Sequence, residues 1–189
     1  MKKIILLLFI LAAFTVVHAQ DTDTDDGQSH AEGSINFEMN GKNYTATKIT
    51  GNIMGDLNKA AILMLNAVVT QNGKETTITF YLKNNWMLKP GKTVLESIKL
   101  NRDFGTFSEM PANLSPADTD TTIDIDSESG SFTLTSASMI ARDKASISGS
   151  FEFIGKIDGP GGSGGRGAIK GSFRDLRMLC ITKQVILGQ

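Results

Sequence analysis

A chain of 189 residues with 19 Lys and Arg against 20 Asp and Glu is close to neutral, so it has no basic field of the kind that attracts nucleic acid. One cysteine excludes an intramolecular disulfide, and two histidines leave almost nothing from which to build a zinc site or a histidine-activated nucleophile. The fold must therefore stand on its hydrophobic core, for which this length is ample.

The first element in chain order is a secretory signal. Met1-Lys2-Lys3 precedes an apolar run from Ile4 to Val17, and Val17-His18-Ala19 offers a small-residue cut, so residues 1–19 are expected to be removed. The run is shorter than the roughly twenty apolar residues of a membrane helix, and no transmembrane segment is expected once it is gone. Loss of Lys2 and Lys3 from 19 basic residues leaves 17 against 20 acids, a formal charge of −3. The lone Cys180 lies far from the cut, so no lipid anchor is expected there, and the protein is placed in the periplasm or outside the cell. Residues 20–33, QDTDTDDGQSHAEG, read as a disordered acidic spacer with no large apolar side chain to bury. Residues 34–189 read as a single domain.

That domain is expected to be all-β: an antiparallel β-sandwich or partly closed β-barrel of eight to ten strands joined by hairpins. Ile35, Phe37 and Met39 alternate with polar residues, and Asn40-Gly41 turns the chain into KNYTATKIT. AAILMLNAVVT is apolar on both faces and should be central or covered on both sides. After Asn72-Gly73 comes ETTITFYLK, with Ile78, Phe80 and Leu82 facing inward. KTVLESIKL is assigned to a strand, although Val94, Leu95 and Ile98 would also suit one helical turn. Arg102 to Thr121, with Pro111 and Pro116, reads as a long, partly irregular connection.

Three Gly-Ser-Phe copies follow, at Gly130, Gly149 and Gly171. Each phenylalanine belongs to an inward-facing set. In ISGSF and IKGSF the glycine falls on that same face, where it lets the sheet bend or a neighbouring side chain lie across the backbone. Phe132, Leu134 and Ile140 are expected on one face of their strand, and each serine on the solvent side. IDGPGGSGGRG between the last two copies is a flexible loop.

Several chemical motifs fail by their own rules. Gly159 to Gly164 matches a dinucleotide fingerprint, but a strand pattern follows it where a helix N-terminus is needed. Gly161 to Gly165 spells G-x-S-x-G with no histidine base beyond His30 in the spacer. Gly91-Lys92-Thr93 lacks the upstream glycine of a phosphate loop, since Trp86 stands there. Asp118 to Gly130 alternates carboxylates as calcium loops do, yet Ser129 and Thr135 occupy the positions that require glycine and glutamate, so a solvated strand and turn is expected. No cofactor, metal site or catalytic residue is expected. Glu96 and Glu152 are the two carboxylates a hydrolase could use. The best binding candidates are Tyr81, Asn84, Asn85 and Trp86 in YLKNNWML, rings to stack on a sugar and amides to bond its hydroxyls, against core packing of Trp86.

INFEMNGKNYTAT, GKTVL and the series GSFTLT, ISGSFEF and AIKGSF together resemble the motif order of a domain-of-unknown-function family of small exported β proteins from Bacteroidetes-type bacteria, many of them lipoproteins. The resemblance spans most of residues 34–176 and implies export and a β fold. It carries over no functional residue, and this chain departs from it in lacking the lipid-attachment cysteine. The expected function is non-enzymatic binding of a small molecule, a glycan or an envelope partner, through loops or an inner cavity. The alternatives are a structural or assembly component of the cell surface and a carboxylate-dependent hydrolase.

Overall fold

The structure is a computed structural model and describes residues 29–57, 60–97, 102–111, 123–159 and 164–181. The signal segment, most of the acidic spacer and the middle of the glycine loop lie outside these residues. Ten strands are present, with no helix among the described residues: β1 (Glu32–Met39), β2 (Lys42–Thr45), β3 (Lys48–Asp56), β4 (Ala60–Gln71), β5 (Lys74–Trp86), β6 (Gly91–Glu96), β7 (Phe104–Pro111), β8 (Ile123–Ala141), β9 (Lys144–Asp158) and β10 (Arg166–Ile181).

Seven of them, β3-β4-β5-β7-β8-β9-β10, close into a barrel, because β9 joins β8 to β10 and β10 returns to β3. Closure leaves these strands without a free sheet edge. The closing pair is parallel, with Leu179, Cys180 and Ile181 beside Asn52, Ile53 and Met54, whereas every other pair is antiparallel. β8 and β10 are long enough to serve two neighbours on one side. β8 pairs β7 through Ile123–Asp126 and β6 through Ser129–Leu134. β10 pairs β1 from Ile169 to Arg177, then β3. The β1–β2 hairpin and β6 therefore stand outside the ring, flanking its β8-β9-β10 side.

Four expectations change. The sheet begins before residue 34: Ala31 is buried and donates its N–H to Ile49 O at 2.9 Å, so the end of the spacer belongs to the fold. KNYTATKIT is two strands, because the chain leaves β1 after Thr45 and pairs β4 from Lys48 onward. The supposed, partly irregular connection contains β7, whose Gly105, Phe107 and Glu109 alternate inward in register with β5. Gly105 and Glu109 dilute that apolar pattern below recognition. Ile140 is 49% exposed, because bulges after Leu134 and Met139 break the alternation that placed it beside Phe132.

The interior is built of rings. Phe80 from β5 meets Phe132, Phe151 and Phe153 at centroid distances of 5.1, 4.7 and 6.1 Å, and Phe132 stacks on Phe173 at 4.8 Å. The Gly-Ser-Phe copies supply three of these five rings, Phe132, Phe151 and Phe173, and the clearance they need. β9 and β10 place two copies head to tail, Gly149 opposite Phe173, Ser150 opposite Ser172 and Phe151 opposite Gly171. Each ring covers the partner strand's glycine. A Cβ at Gly171 would stand 2.4 Å from Phe151 Cζ, and one at Gly149 would stand 2.7 Å from Phe173 Cζ and closer still to Thr133 O. The third copy sets Gly130 opposite Phe153 and Phe132 opposite Phe151.

Gly149→Ala forces β8 and β9 apart and should cost about 3 kcal/mol in urea unfolding, the upper range for overpacking a core. Ser150→Ala, on the other face of the same motif, should change stability by less than about 0.5 kcal/mol. Equal effects would show that the glycines are not the constraint.

Candidate functional site

The outer face of β8, β9 and β10, with β6 on one flank and β1–β2 on the other, forms an open trough of about 730 Å³. Strand register dictates its lining, since residues opposite one another point to the same side of the sheet. One row runs Thr45, Asn36, Ser172, Ser150, Thr133, Lys92 across six strands, and the row beside it runs Asn43, Glu38, Lys170, Glu152, Ser131, Val94. At an inter-strand spacing of about 4.8 Å, each row is roughly 24 Å long. A second recess of about 500 Å³ continues it along β9, over Ser129, Ile154 and Ala168.

The trough is polar and electrically balanced. Glu38 and Lys170 form an ion pair at 3.2 Å, and Glu152 and Lys92 add one further charge of each sign. Thr45 Oγ1 donates to Asn36 Oδ1 at 2.8 Å, and Ser131 Oγ donates to Glu152 Oε1 at 3.3 Å. Ser131 is buried beneath that contact, so the third serine of the repeats is not the exposed residue the pattern suggested. Ser150 and Ser172 are exposed as expected, and with Thr133 they present hydroxyls that both donate and accept.

Of the residues singled out in YLKNNWML, Tyr81 and Trp86 do not share a face. Trp86 is 3% exposed and packs in the core, which leaves no ring face for a sugar. Tyr81 lies on the outer face of β5, half-buried, against Phe104 at 5.7 Å and beneath Lys83 Nζ at 5.6 Å. The side chains of Asn84 and Asn85 lie outside the described residues. Parity along β5 separates Tyr81 from its neighbours Leu82 and Phe80, and the same parity puts Trp86 inward with Leu82, Ala61 being its ladder partner. Of the two carboxylates a hydrolase could use, Glu96 is held by Arg102 at 3.0 Å on β6 and Glu152 accepts from Ser131 on β9. The described part of the Asp118 to Gly130 stretch is strand β8, with Asp124, Asp126 and Glu128 pointing to solvent. No group of three His, Cys, Asp or Glu among the described residues is arranged to hold a metal. Cys180 is buried in the core, and burial pushes its thiol up to about 11.

The charged cluster at the mouth of the barrel escapes sequence reasoning. Glu109 shares the inward face of β7 with Phe107, and its side chain is 8% exposed. Lys74 Nζ stands 2.7 Å from Oε1, and Lys42 Nζ 3.4 Å from Oε2. Tyr44 donates to Oε2 at 3.2 Å and Thr76 at 3.5 Å. Tyr44 itself stacks on Phe37 at 4.9 Å and meets Phe107 edge-on at 6.1 Å. The cluster thus ties β2 to β5 and β7. Nothing in SEMP or KNYT announces it, because its four partners come from strands that only the closed barrel brings together.

Burial alone would raise the Glu109 carboxyl. The hydrogen bond from Lys74, the charges of Lys42 and Lys74 and the bond from Tyr44 outweigh it and hold the carboxyl below 4.5. Burial raises the Tyr44 hydroxyl.

No family model, curated protein or solved structure matches the chain. The likeness to exported β proteins thus rests on the motifs alone.

A carboxyl lowered in the folded state stabilises above its unfolded value, and that contribution is lost as pH falls through the folded value. The protein should therefore lose stability below about pH 4.5, while Glu109→Gln should be less stable at pH 7 by roughly 1–2 kcal/mol, its lysines being half in solvent. Acid melting of the variant should be correspondingly flatter, and thermal unfolding across pH checks both statements.

Proposed function

We propose that this protein is a non-catalytic binding domain of the bacterial envelope, exported by its N-terminal signal, whose trough takes a neutral, hydroxyl-rich ligand such as a linear glycan. The observation that carries this reading is the continuous row from Thr45 to Lys92, which offers hydrogen-bonding side chains at a pitch close to the length of one sugar unit. Paired charges favour a ligand without net charge of its own, and Ile154 beside Ala168 supplies an apolar step against which a sugar face can rest. The interior is a less suitable place, because Phe80 and its ring partners fill it.

Titration of the protein against a panel of linear neutral oligosaccharides, followed by calorimetry, should find a binder. Ser150→Leu should weaken that binding at least about tenfold, the worth of a lost hydrogen-bonding contact, without lowering the melting temperature. Unchanged binding by both Ser150→Leu and Ser172→Leu would remove the trough as the site.

A second reading, a surface assembly component that pairs by a strand edge, is favoured by one feature. β6 ends the strand order, and its Val94 is 61% exposed. On that reading the protein self-associates with rising concentration in sedimentation velocity, and Val94→Lys abolishes the association. A monomer at all concentrations would dispose of self-assembly.

A further inference from the structure

We propose that Glu109 is a positioning residue that latches β2, the outer strand of the β1–β2 hairpin on one flank of the trough, to the mouth of the barrel, and that its protonation releases this strand while β1 stays on β10. β2 is four residues long and lies at the end of the strand order, with β1 as its one ladder partner. Its inward side chain, Tyr44, reaches past the hairpin to a carboxylate carried by β7, and Lys42 on the same strand reaches that carboxylate too. From the other side β5 contributes Lys74 and Thr76. Among the described residues, the charged and titratable groups that face Glu109 are Lys42 and Tyr44 from β2 and Lys74 from β5, two cations and one phenol around one acid. Once the acid is neutral, Lys42 and Lys74 repel across the contact and β2 is left with its ladder to β1, the Thr45–Asn36 bond and the Tyr44 ring contacts. Asn43 and Thr45, which end the two rows of the trough, lie on either side of Tyr44, so release of β2 removes the outer strand of that flank.

The consequence for ligand rests on the reading of the trough as the binding site. Release of β2 does not, and it is measured without ligand. Amide exchange of the whole chain, corrected for the intrinsic effect of pH, is followed by NMR at about pH 7 and pH 3.5. The expected result is that amides 42–45 lose protection by about tenfold or more in acid, in keeping with loss of bonds to a charged group, while amides 149–153 and 169–173 keep theirs. Glu109→Gln should show the released strand already at pH 7 and no further response to acid. Tyr44→Phe, which removes one bond and preserves the ring, should lie between the two and secures the test if the glutamine variant fails to fold. Protection of amides 42–45 in Tyr44→Phe and Glu109→Gln equal to the parent overturns the latch. So does simultaneous loss of protection in β2, β9 and β10, which would make Glu109 a support of the whole barrel. A released β2 in a protein that binds no oligosaccharide leaves the latch standing and counts against the trough's proposed role alone.

Discussion

Everything in this fold depends on phenylalanine rings lying on glycines of the neighbouring strand. A narrow barrel must fit five rings, Phe80 among them, and strands carrying a Cβ at every inward position would stand too far apart to let them interlock. The Gly-Ser-Phe copies remove that Cβ where the ring needs the room. In β9 and β10 the exchange is reciprocal, since each strand supplies one ring and one vacancy to the other. Register and packing are thereby coupled: a slip of one residue between β9 and β10 would turn one strand's serine inward and its glycine and phenylalanine outward, and a slip of two would set Phe151 opposite Phe173 or glycine opposite glycine.

The outer face inherits its chemistry from the same constraint. Because glycine and phenylalanine hold the inward positions, serine falls outward between them, and antiparallel pairing places Ser150 beside Ser172 and next to Thr133. The polar row of the trough is the reverse side of the aromatic core. Length completes it: β8 and β10 extend past the ring and carry β6 and β1 on their spare edges, which turns a barrel wall into a floor with two flanks. Folding the core and shaping the trough are one event, and substitutions on the two faces separate them.

At the barrel mouth the balance is electrostatic. Glu109 is withdrawn from water on the face that Phe107 uses for packing, and an isolated carboxylate there would be costly. Two lysines, a tyrosine and a threonine from two other strands offset that cost, and the aromatic contacts of Tyr44 with Phe37 and Phe107 hold the hydroxyl where it is needed. The short edge strand β2 thus gains an attachment to the ring that its four-residue ladder to β1 does not provide.

The sequence by itself determined the all-β class, the inward set Ile78, Phe80 and Leu82, the turns at Asn40-Gly41 and Asn72-Gly73, and the role of the Gly-Ser-Phe glycines, because period-two alternation and turn chemistry are local properties. The exposed serines at positions 150 and 172 were legible for the same reason. Tertiary structure alone decided that the sheet closes, that its closing pair is parallel, that β7 is a strand and that Ile140 faces solvent. It also buried Trp86, for which the sequence favoured the core over a ligand, and it assembled Glu109 with Lys42, Tyr44, Lys74 and Thr76. These depend on which strands become neighbours and where a bulge shifts the pleat, and both are settled by contacts between residues far apart in the chain, which no local pattern records.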